Sequence, residues 1–335
     1  MDNMIFLGIL FGPIVMLSFL VTILVLPGWI KKAKQLKLTW KDMHKIGNVK
    51  KVAGSGGIAV MIGFFLSLML YIAVKTFVFQ DSTHLVEIFG LLTVLFFAGA
   101  IGFIDDIFGW QKEGLSKRAR ISLLIFTAVP LMVLNVGDVF FAGIDFGIFY
   151  PLLLIPIGIV GATTTFNFLA GYNGLESSQG ILILTALAIV TFITGAWWLS
   201  LISSCMVAAL IAFYFFNKYP AKVFPGDILT YPGGALIACI AILGNIEKIA
   251  IFFFIPYILE FILKARGKLK KQSFSKVNSD KSLDLKYGKI YGLEHLAVLL
   301  LKKIKPSNKA YEWEVPLVIN VFQIIVIVLG FILFL

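Results

Sequence analysis

The stretch Ile88–Phe108, IFGLLTVLFFAGAIGFIDDIF, determines the class of fold and contains the first candidate for a functional site. Its first 17 residues carry no charge, and the adjacent acids Asp105 and Asp106 then follow. A carboxylate inside hydrocarbon costs roughly 3 kcal/mol or more, so acids in membrane segments usually serve function. That cost falls at the membrane–water boundary, where an ordinary helix end entering water has the same pattern. The acid pair alone therefore leaves a functional and a purely structural interpretation open.

The composition of the whole chain points to the membrane. Hydrophobic residues make up 59% of the 335 residues and charged residues 14%, and the mean hydropathy is +0.96. Apolar runs of about 20 residues, enough to cross a bilayer as helices, recur along the chain. We therefore predict an all-α polytopic membrane protein with one integral domain, 1–335. Cys205 and Cys239 both fall in apolar runs, so neither a disulfide framework nor a zinc site is expected.

Ten apolar stretches are predicted to span the membrane. The first is expected to be a retained signal anchor, because its lysines follow it rather than precede it. With the next loop in the cytoplasm, 27 of the 29 lysines and arginines face the cytoplasm, and only Lys75 and Lys248 face outward. This asymmetry follows the positive-inside rule and places both termini outside. The predicted spans are about 4–28, 55–76, 86–104, 119–136, 147–166, 179–197, 199–217, 228–244, 248–264 and 314–335.

The loops carry the remaining information about partners. The net charge of +11 could suggest nucleic acid, but the basic residues are distributed over the cytoplasmic loops, so we expect a membrane partner and no nucleic acid. The long cytoplasmic loop, about 265–312, contains an apolar stretch at 291–303 that is too short to span and is predicted to form an interfacial helix. The same orientation places every polar cluster of interest on the cytoplasmic face, which favours the functional interpretation of the acid pair.

The residue types at this face favour chemistry with a divalent ion and phosphate. The chain has three histidines and no Gly-x4-Gly-Lys-Ser/Thr loop, which argues against a hydrolase triad and an ATP-driven pump. Asn167 and Asp227 lie where spans meet the cytoplasm and supply the oxygen ligands that Mg²⁺ prefers, with Mn²⁺ as the alternative ion. Lys117 could neutralise phosphate charge, although the positive-inside rule explains it equally well.

Glycine-bearing turns open two of the predicted spans. Gly54-Ser-Gly-Gly57, which includes Gly56, opens the second span, and Gly226 opens the eighth. Backbone amides at a helix N-terminus bind anions, and glycine allows a phosphate to approach closely. Glycine at a tight junction between membrane helices is the structural alternative, and it is the favoured one for Gly54–Gly57.

The loop Ala170–Glu176, AGYNGLE, has the composition of a binding loop for a polar headgroup. It combines two turn glycines with hydrogen-bonding groups on Asn173 and Glu176 and an aromatic ring at Tyr172. We expect it to bind an exchangeable nucleotide rather than a lipid tail.

Three motifs in this order resemble those of the polyprenyl-phosphate N-acetylhexosamine-1-phosphate transferases: Phe103-Ile-Asp-Asp-Ile107, Asn167-Phe-Leu-Ala-Gly-Tyr-Asn-Gly-Leu-Glu176 and Val223-Phe-Pro-Gly-Asp227. The resemblance covers nearly the whole chain. Bacterial members usually carry Asp-Gly-x-Asp-Gly in the second motif, whereas AGYNGLE is similar to the dolichyl-phosphate N-acetylglucosamine-1-phosphate transferases of eukaryotes and archaea. The resemblance implies transfer of N-acetylglucosamine 1-phosphate from UDP-N-acetylglucosamine to dolichyl phosphate with release of UMP, the first step of N-glycan assembly.

Carried over residue by residue, the resemblance also implies a site. It implies Mg²⁺ ligation by Asn167 and Asp227, phosphate contact by Lys117, and action of the acid pair on the lipid phosphate. The substrate-binding residues it implies, together with those inferred from the turns above, are Gly56, Gly171, Asn173, Gly174, Glu176 and Arg266.

Two positions depart from the family pattern. Thr164 stands where family members often have a second Asn. The long loop lacks the Pro–His/Arg-rich signature that contacts the sugar and offers Arg266, Lys268 and Lys270 instead, so the sugar is the least determined part of the assignment.

Several alternatives stay open at the level of sequence. Direct phosphoryl transfer competes with an aspartyl-phosphate intermediate on one acid of the pair. A bacterial-type transferase acting on undecaprenyl phosphate is the near alternative, and a transporter is the distant one, because transporters place polar residues at mid-span. The modest length, sparse cysteine and many lysines favour an archaeal plasma membrane over the endoplasmic reticulum. The sequence is compatible with a homodimer.

Overall fold

The computed structural model describes residues 2–46, 51–111, 114–141 and 143–335, and helices make up most of it. The helices are α1 (Asp2–Gln35), α2 (Gly57–Ala73), α3 (Leu85–Gln111), α4 (Lys117–Leu134), α5 (Ile155–Phe166), α6 (Leu175–Ile193), α7 (Trp197–Asn217), α8 (Asp227–Leu243), α9 (Glu247–Phe253), α10 (Ile255–Arg266), α11 (Leu293–Ile304) and α12 (Glu314–Phe334). Short π-helical segments, Val74–Val78 and Tyr150–Leu154, extend α2 and precede α5.

A helix lies in each of the ten predicted spans. Six helical segments have the length and apolar composition of membrane spans: Leu10–Gln35, Gly57–Val78, Leu85–Gln111, Leu175–Ile193, Trp197–Asn217 and Glu314–Phe334. Tyr150–Phe166 and Asp227–Leu243 are apolar but shorter. The prediction of an all-α integral membrane protein is confirmed, while the count of ten spans and the side of the termini stay predictions.

Three helices depart clearly from their predicted spans, and the first is α1, which continues to Gln35 rather than ending at 28. The third span was expected to end at Ile104, but α3 continues to Gln111, so the acid pair lies inside a helix rather than at its end. The sixth span was expected to begin at 179, but α6 begins at Leu175. Its polar first turn is buried because those side chains find partners inside the protein, as Ser177 does by donating to the Asn217 amide oxygen (2.7 Å).

Helix α8 lies at the centre of the bundle. Every residue from Ile228 to Ile242 is buried. It packs against α3 and α5 on its two most extensive faces and also contacts α2, α6 and α7. A helix that is apolar all round and enclosed in this way has no lipid-facing side, so its N-terminus is a fixed point for the cytoplasmic residues around it.

Two glycines allow neighbouring helices to approach the first turn of α8. A Cβ on Gly102 of α3 would lie 2.2 Å from the carbonyl oxygen of Asp227, and one on Gly57 of α2 would lie 2.4 Å from the Cβ of Leu229. No side-chain movement can relieve an overlap with backbone atoms. These two glycines therefore set how closely α2 and α3 pack on α8.

Short strands order several of the connecting segments. The hairpin β1 (Thr39–Lys41) and β2 (Lys51–Ala53) follows α1, β3 (Phe140–Phe141) pairs with β4 (Ile144–Asp145), and β5 (Lys276–Val277) pairs with β6 (Leu283–Asp284). Ala53 also bridges to Val223, just before α8. In the long loop, α11 confirms that the predicted interfacial segment is helical.

Replacing Gly102 by alanine is expected to destabilise the protein by about 1–3 kcal/mol or more, because the new methyl group overlaps the Asp227 backbone. Gly12→Ala is the matched control, since nothing lies within 4 Å of a Cβ at that exposed helical position. The midpoint of thermal unfolding in detergent measures both. Equal midpoints for the two variants would contradict the close packing of α3 on α8.

Candidate active site

The carboxylate of Asp106 binds the N-terminus of α8. One oxygen accepts the backbone N–H of Asp227 (2.8 Å) and the other accepts that of Ile228 (3.4 Å). The Ser55 side chain adds a further hydrogen bond. An anion at this position is stabilised by the unpaired amides and the helix dipole. The anion site predicted at the Gly226 turn therefore exists, but its anion is a side chain of the protein.

Gly226 is required at this contact. Its φ of +73° is unfavourable for residues with a Cβ, and a Cβ there would lie 2.2 Å from an Asp106 oxygen. The turn before α8 thus leaves room for the carboxylate itself.

Asp105 is held by a second set of partners. It accepts hydrogen bonds from the Tyr231 hydroxyl (2.8 Å) and the Leu115 backbone N–H (2.7 Å). The Arg120 guanidinium lies 2.6 Å from the same carboxylate, which is 2% exposed. Charge-assisted contacts of this kind compensate for burial of the acid.

Arg120 is a basic residue of the candidate site that the sequence did not single out. It lies one helical turn after Lys117 on α4 and, unlike Lys117, it reaches the acids. Lys117 is exposed, and its ammonium lies 3.5 Å from the carbonyl oxygen of Leu269. The three-residue spacing from Lys117 places Arg120 on the same helix face, and this was the sequence signal for Arg120. The positive-inside rule, however, also predicts basic residues at this end of a span.

Asn167 and Asp227 are brought to the same side of α8. The Asn167 amide oxygen accepts the Thr230 hydroxyl (3.1 Å), and Thr230 lies one turn after Asp227. The Asp227 carboxyl also hydrogen-bonds Tyr231 and interacts electrostatically with both acids of the pair. In the described residues no three His, Cys, Asp or Glu side chains converge as a metal site. An ion here would have few protein ligands, as is usual for Mg²⁺ bound to substrate phosphates.

The electrostatic balance of this cluster fits a cation. Asp105 and Asp106 both interact electrostatically with Asp227, and Arg120 pairs with Asp105. Buried negative charge in excess of positive charge is stabilised by a divalent ion. The donor set of carboxylate and amide oxygens therefore fits Mg²⁺.

The phosphate role predicted for Gly56 is not supported by the geometry. The amides of Gly56 and Gly57 donate to the carbonyl oxygens of Phe224 and Pro225, each at 2.9 Å. A Cβ on Gly56 would lie 2.3 Å from the Val223 side chain. The structural alternative, a tight junction that needs glycine, explains this turn, because its amides are already paired.

The predicted nucleotide loop forms one compact turn. Gly171 and Gly174 have φ of +105° and +84°, which favour glycine. The Gly171 N–H donates to the Glu176 carboxylate (3.1 Å), which lies in the first turn of α6 and is buried. Glu176 thus stabilises the conformation of the loop through this hydrogen bond. The Asn173 amide nitrogen donates to Asp42 (3.3 Å).

Tyr172 faces the protein interior and not a ligand. Its ring stacks on His44 at a centroid distance of 4.2 Å, and its hydroxyl lies 2.8 Å from the Ser275 hydroxyl. His44 accepts the Ser275 backbone N–H (3.2 Å), and burial lowers the pKa of His44 to about 4. The imidazole is therefore neutral. The aromatic ring expected to receive a nucleotide is already covered.

Arg266, the predicted sugar contact, is exposed at the end of α10. Segments further along the same loop lie closer to the nucleotide loop, since Phe274 packs over Gly171 and Ser275 bonds Tyr172. The long loop thus contacts the predicted nucleotide loop through Phe274 and Ser275, and the sugar contact predicted for Arg266 stays a prediction.

An apolar groove runs along α5 towards Asn167. It has a volume of about 460 Å³ and lies between α5, α8 and the α9–α10 pair. Gly158, Gly161 and Ala162 line it on α5, and Thr165 lies at the end near Asn167. At the opposite end, the Tyr150 hydroxyl donates to Glu247. At 1.5 Å per residue, the distance from Tyr150 to Thr165 is roughly 22 Å, most of the thickness of a bilayer core.

An all-α membrane bundle with a cluster of buried acids and an apolar groove is suited to a membrane-embedded enzyme that acts on lipid-linked substrates. Residues 88–245 match the sequence model described as glycosyl transferase family 4. A Saccharolobus solfataricus protein provisionally named UDP-N-acetylglucosamine–dolichyl-phosphate N-acetylglucosaminephosphotransferase is 36% identical over 275 residues, 79% of this chain and 81% of the relative. The chain belongs to the glycosyl transferase family 4 enzymes, and the resemblance predicted from its motifs is confirmed.

Two further relatives show the breadth of the family. The Dictyostelium discoideum protein named UDP-N-acetylglucosamine–dolichyl-phosphate N-acetylglucosaminephosphotransferase is 31% identical, covering 72% of this chain and 68% of the relative. A phospho-N-acetylmuramoyl-pentapeptide-transferase from Streptococcus pyogenes is 29% identical, covering 73% and 76%. The chain is thus similar to both dolichyl-phosphate and cell-wall branches.

Arg120→Ala is expected to reduce stability by about 3–5 kcal/mol, because it leaves the buried Asp105 without its cation. Lys117→Ala should change stability by less than about 0.5 kcal/mol, since the side chain is exposed. The midpoint of thermal unfolding distinguishes the two variants. If Lys117 contacts phosphate as predicted, Lys117→Ala will also lower transfer in a fully folded protein, and unchanged transfer would remove it from the site.

Proposed function

We propose that this protein transfers N-acetylglucosamine 1-phosphate from UDP-N-acetylglucosamine to dolichyl phosphate and releases UMP. The observation that carries the proposal is the meeting of Asp227, Asn167 and the acid pair with the end of the apolar groove. The proteins named for this activity in Saccharolobus and Dictyostelium support the choice of donor and acceptor.

The groove suits the polyprenyl chain of the acceptor. Its lining is almost entirely apolar, and it opens beside α5 within the membrane-spanning part of the bundle. A chain lying in it with its phosphate at the Thr165 end reaches Asn167. Burial of an isoprenoid against such a surface is favourable in proportion to its apolar area.

The chemistry we propose is direct phosphoryl transfer. An oxygen of the lipid phosphate forms a bond to the phosphorus attached to the sugar, and the bond from that phosphorus to the UMP oxygen breaks. When bound, Mg²⁺ would neutralise charge on the diphosphate and the departing UMP. Asn167 and Asp227 would hold the ion, with Mn²⁺ as a substitute. Catalysis then consists mainly of positioning and charge neutralisation.

The partners of the acid pair favour direct transfer over an aspartyl-phosphate intermediate. Both oxygens of Asp106 accept amides of α8, and Asp105 is paired with Arg120 and Tyr231. A nucleophilic carboxylate would have to give up these contacts. We infer that Asp106 positions the first turn of α8, and that Asp105 orients Arg120 towards the phosphates.

The test is a transfer assay on purified protein with radiolabelled UDP-N-acetylglucosamine and dolichyl phosphate. We expect lipid-linked sugar and UMP in equal amounts, and loss of both when Mg²⁺ is chelated. Asp227→Ala should abolish transfer, whereas Asp280→Asn, which changes an exposed acid of the long loop, should not. Near-normal transfer by Asp227→Ala at saturating Mg²⁺ would contradict the metal assignment, and UMP release without lipid phosphate would contradict direct transfer.

The same assay decides between branches of the family. The Streptococcus relative favours the second candidate, a bacterial-type transferase, and this predicts product with undecaprenyl phosphate and a muramyl-pentapeptide donor instead. Uptake of nucleotide sugar into sealed vesicles without any lipid product would indicate a transporter.

We further propose ten spans with both termini outside, which the distribution of lysine and arginine supports. We also propose an archaeal plasma membrane, which the Saccharolobus relative supports. A homodimer stays a prediction, testable by the mass of the solubilised protein. Cys205 and Cys239 are buried, so single cysteines can be introduced at the exposed Lys248 and Lys289. In right-side-out vesicles, an impermeant maleimide should label Lys248→Cys only. Labelling of Lys289→Cys alone would invert the topology.

A further inference from the structure

The apolar groove beside α5 ends at a polar contact. At its far end, the end away from Asn167, the Tyr150 hydroxyl donates to the Glu247 carboxylate, and both residues line the groove. Among the described residues that line the groove, Glu247 alone has a charged side chain. A hydrogen-bonded pair therefore closes the far end of a groove whose walls are otherwise almost entirely apolar.

The Tyr150 ring is also held from its other side. Tyr150 is 3% exposed. A Cβ on Gly137, whose φ is +90°, would lie 2.6 Å from the Tyr150 hydroxyl oxygen and 2.7 Å from its ring carbon Cε1. The backbone after α4 thus lies directly against the ring, and glycine is the residue that fits there. The ring is held between this backbone and Glu247.

The surroundings become polar beyond Tyr150. A second pocket of about 300 Å³ adjoins the groove, since Glu247 lines both. Asp138, Asn245 and Lys248 contribute to its lining. A hydrocarbon chain that entered this pocket would separate these polar groups from water, which is unfavourable. The surface that suits an isoprenoid therefore stops at Tyr150.

Two glycines keep the floor of the groove open between its ends. Gly158 and Gly161 lie in α5 and line the groove. Nothing lies within 4 Å of a Cβ on Gly161, and the nearest atom to a Cβ on Gly158 belongs to the Ile242 side chain at 3.8 Å. Glycine inside a helix is less stable than alanine, and packing within the protein requires it at neither position. Both glycines leave space for a chain.

We propose that Tyr150 is a specificity-determining residue that ends the acceptor groove and thereby limits how many isoprene units of a polyprenyl phosphate contact the protein. The inference rests on the proposed function, because it takes the groove as the site of the acceptor chain with its phosphate near Asn167. An isoprene unit adds roughly 5 Å to an extended carbon chain. Roughly four units therefore fit into the roughly 22 Å from Thr165 to Tyr150, and further units leave the groove for the membrane.

The gain in affinity from each unit is modest. The chain exchanges the hydrocarbon of the bilayer or detergent for the groove, so it gains by van der Waals packing and not by leaving water. We expect each unit that enters the groove to tighten binding by roughly two-fold. Units beyond Tyr150 should add nothing. Affinity plotted against chain length then has a breakpoint, the length after which affinity no longer rises.

The experiment measures binding of radiolabelled polyprenyl phosphates, which differ by single isoprene units, to the full-length protein in detergent. Wild type should show a breakpoint at roughly four units. Gly158→Leu places a side chain across the groove roughly 10 Å from Thr165 and should move the breakpoint to roughly two units. Tyr150→Ala removes the ring that closes the groove and should move the breakpoint to a longer chain.

Tyr150→Phe is the matched control. It removes the hydroxyl but keeps the ring between Gly137 and the groove, so the breakpoint should stay at the wild-type length. A residue that only stabilises the fold would instead weaken all chain lengths by the same factor. Unfolding midpoints verify that the variants are folded, and Gly158→Leu protects the test against misfolding of Tyr150→Ala, because its Cβ has space.

Equal breakpoints in folded wild type, Tyr150→Ala and Gly158→Leu would overturn the inference. Transfer to the same lipid series distinguishes this outcome from failure of the proposed function. Wild-type protein that binds the series with a breakpoint but forms no lipid-linked sugar would contradict the proposed function and support the role of Tyr150. Transfer without any shift of the breakpoint would contradict the role of Tyr150 alone, and the absence of binding by any polyprenyl phosphate would contradict both.

Discussion

The hydrogen bonds from the first amides of α8 to the Asp106 carboxylate are the contact on which the site depends. These hydrogen bonds join the C-terminal part of α3 to the N-terminus of α8, which is buried on all sides. Once the start of α8 is fixed, Tyr231 lies where it can bond Asp105, and Thr230 lies where it can bond Asn167. Gly102 and Gly226 are essential to this contact, because a side chain at either position would overlap the Asp227 backbone or the carboxylate.

The free-energy cost of burying several acids close together explains the other contacts of the candidate site. Burying carboxylates near one another is unfavourable unless each has donors or a cation. Asp106 has the α8 amides, and Asp105 has Arg120, Tyr231 and a backbone amide. Asp227 has Tyr231 but faces the other two acids. Of the three acids, Asp227 thus has the fewest compensating partners, and a divalent ion bound there would supply the missing positive charge.

The features that were predicted from the sequence are those that depend on short stretches of residues. Apolar length identified the helices, and the asymmetry of lysines brought the three polar motifs to one face. The sequence did not predict that Arg120 pairs with an acid, because the positive-inside rule explains a basic residue after a span in either case. Gly56 was assigned a phosphate role from a helix-start pattern, although its amide is paired with Phe224. Nor did any local pattern indicate that His44 covers Tyr172, since the two residues are far apart in sequence and meet only through tertiary packing.

One continuous segment relates the three parts of the proposed site. From Gly158 to Thr165 the chain lines the groove, at Asn167 it bonds α8, and from Gly171 to Gly174 it forms the candidate nucleotide loop. A lipid phosphate and a nucleotide diphosphate bound at the two ends would therefore meet at Asn167. α5 packs on α8, and the loop is bonded to Asp42 of the hairpin segment, so both ends of this segment are held by the rest of the protein. The order of these residues along the chain would thus bring the proposed lipid and nucleotide substrates together at one site.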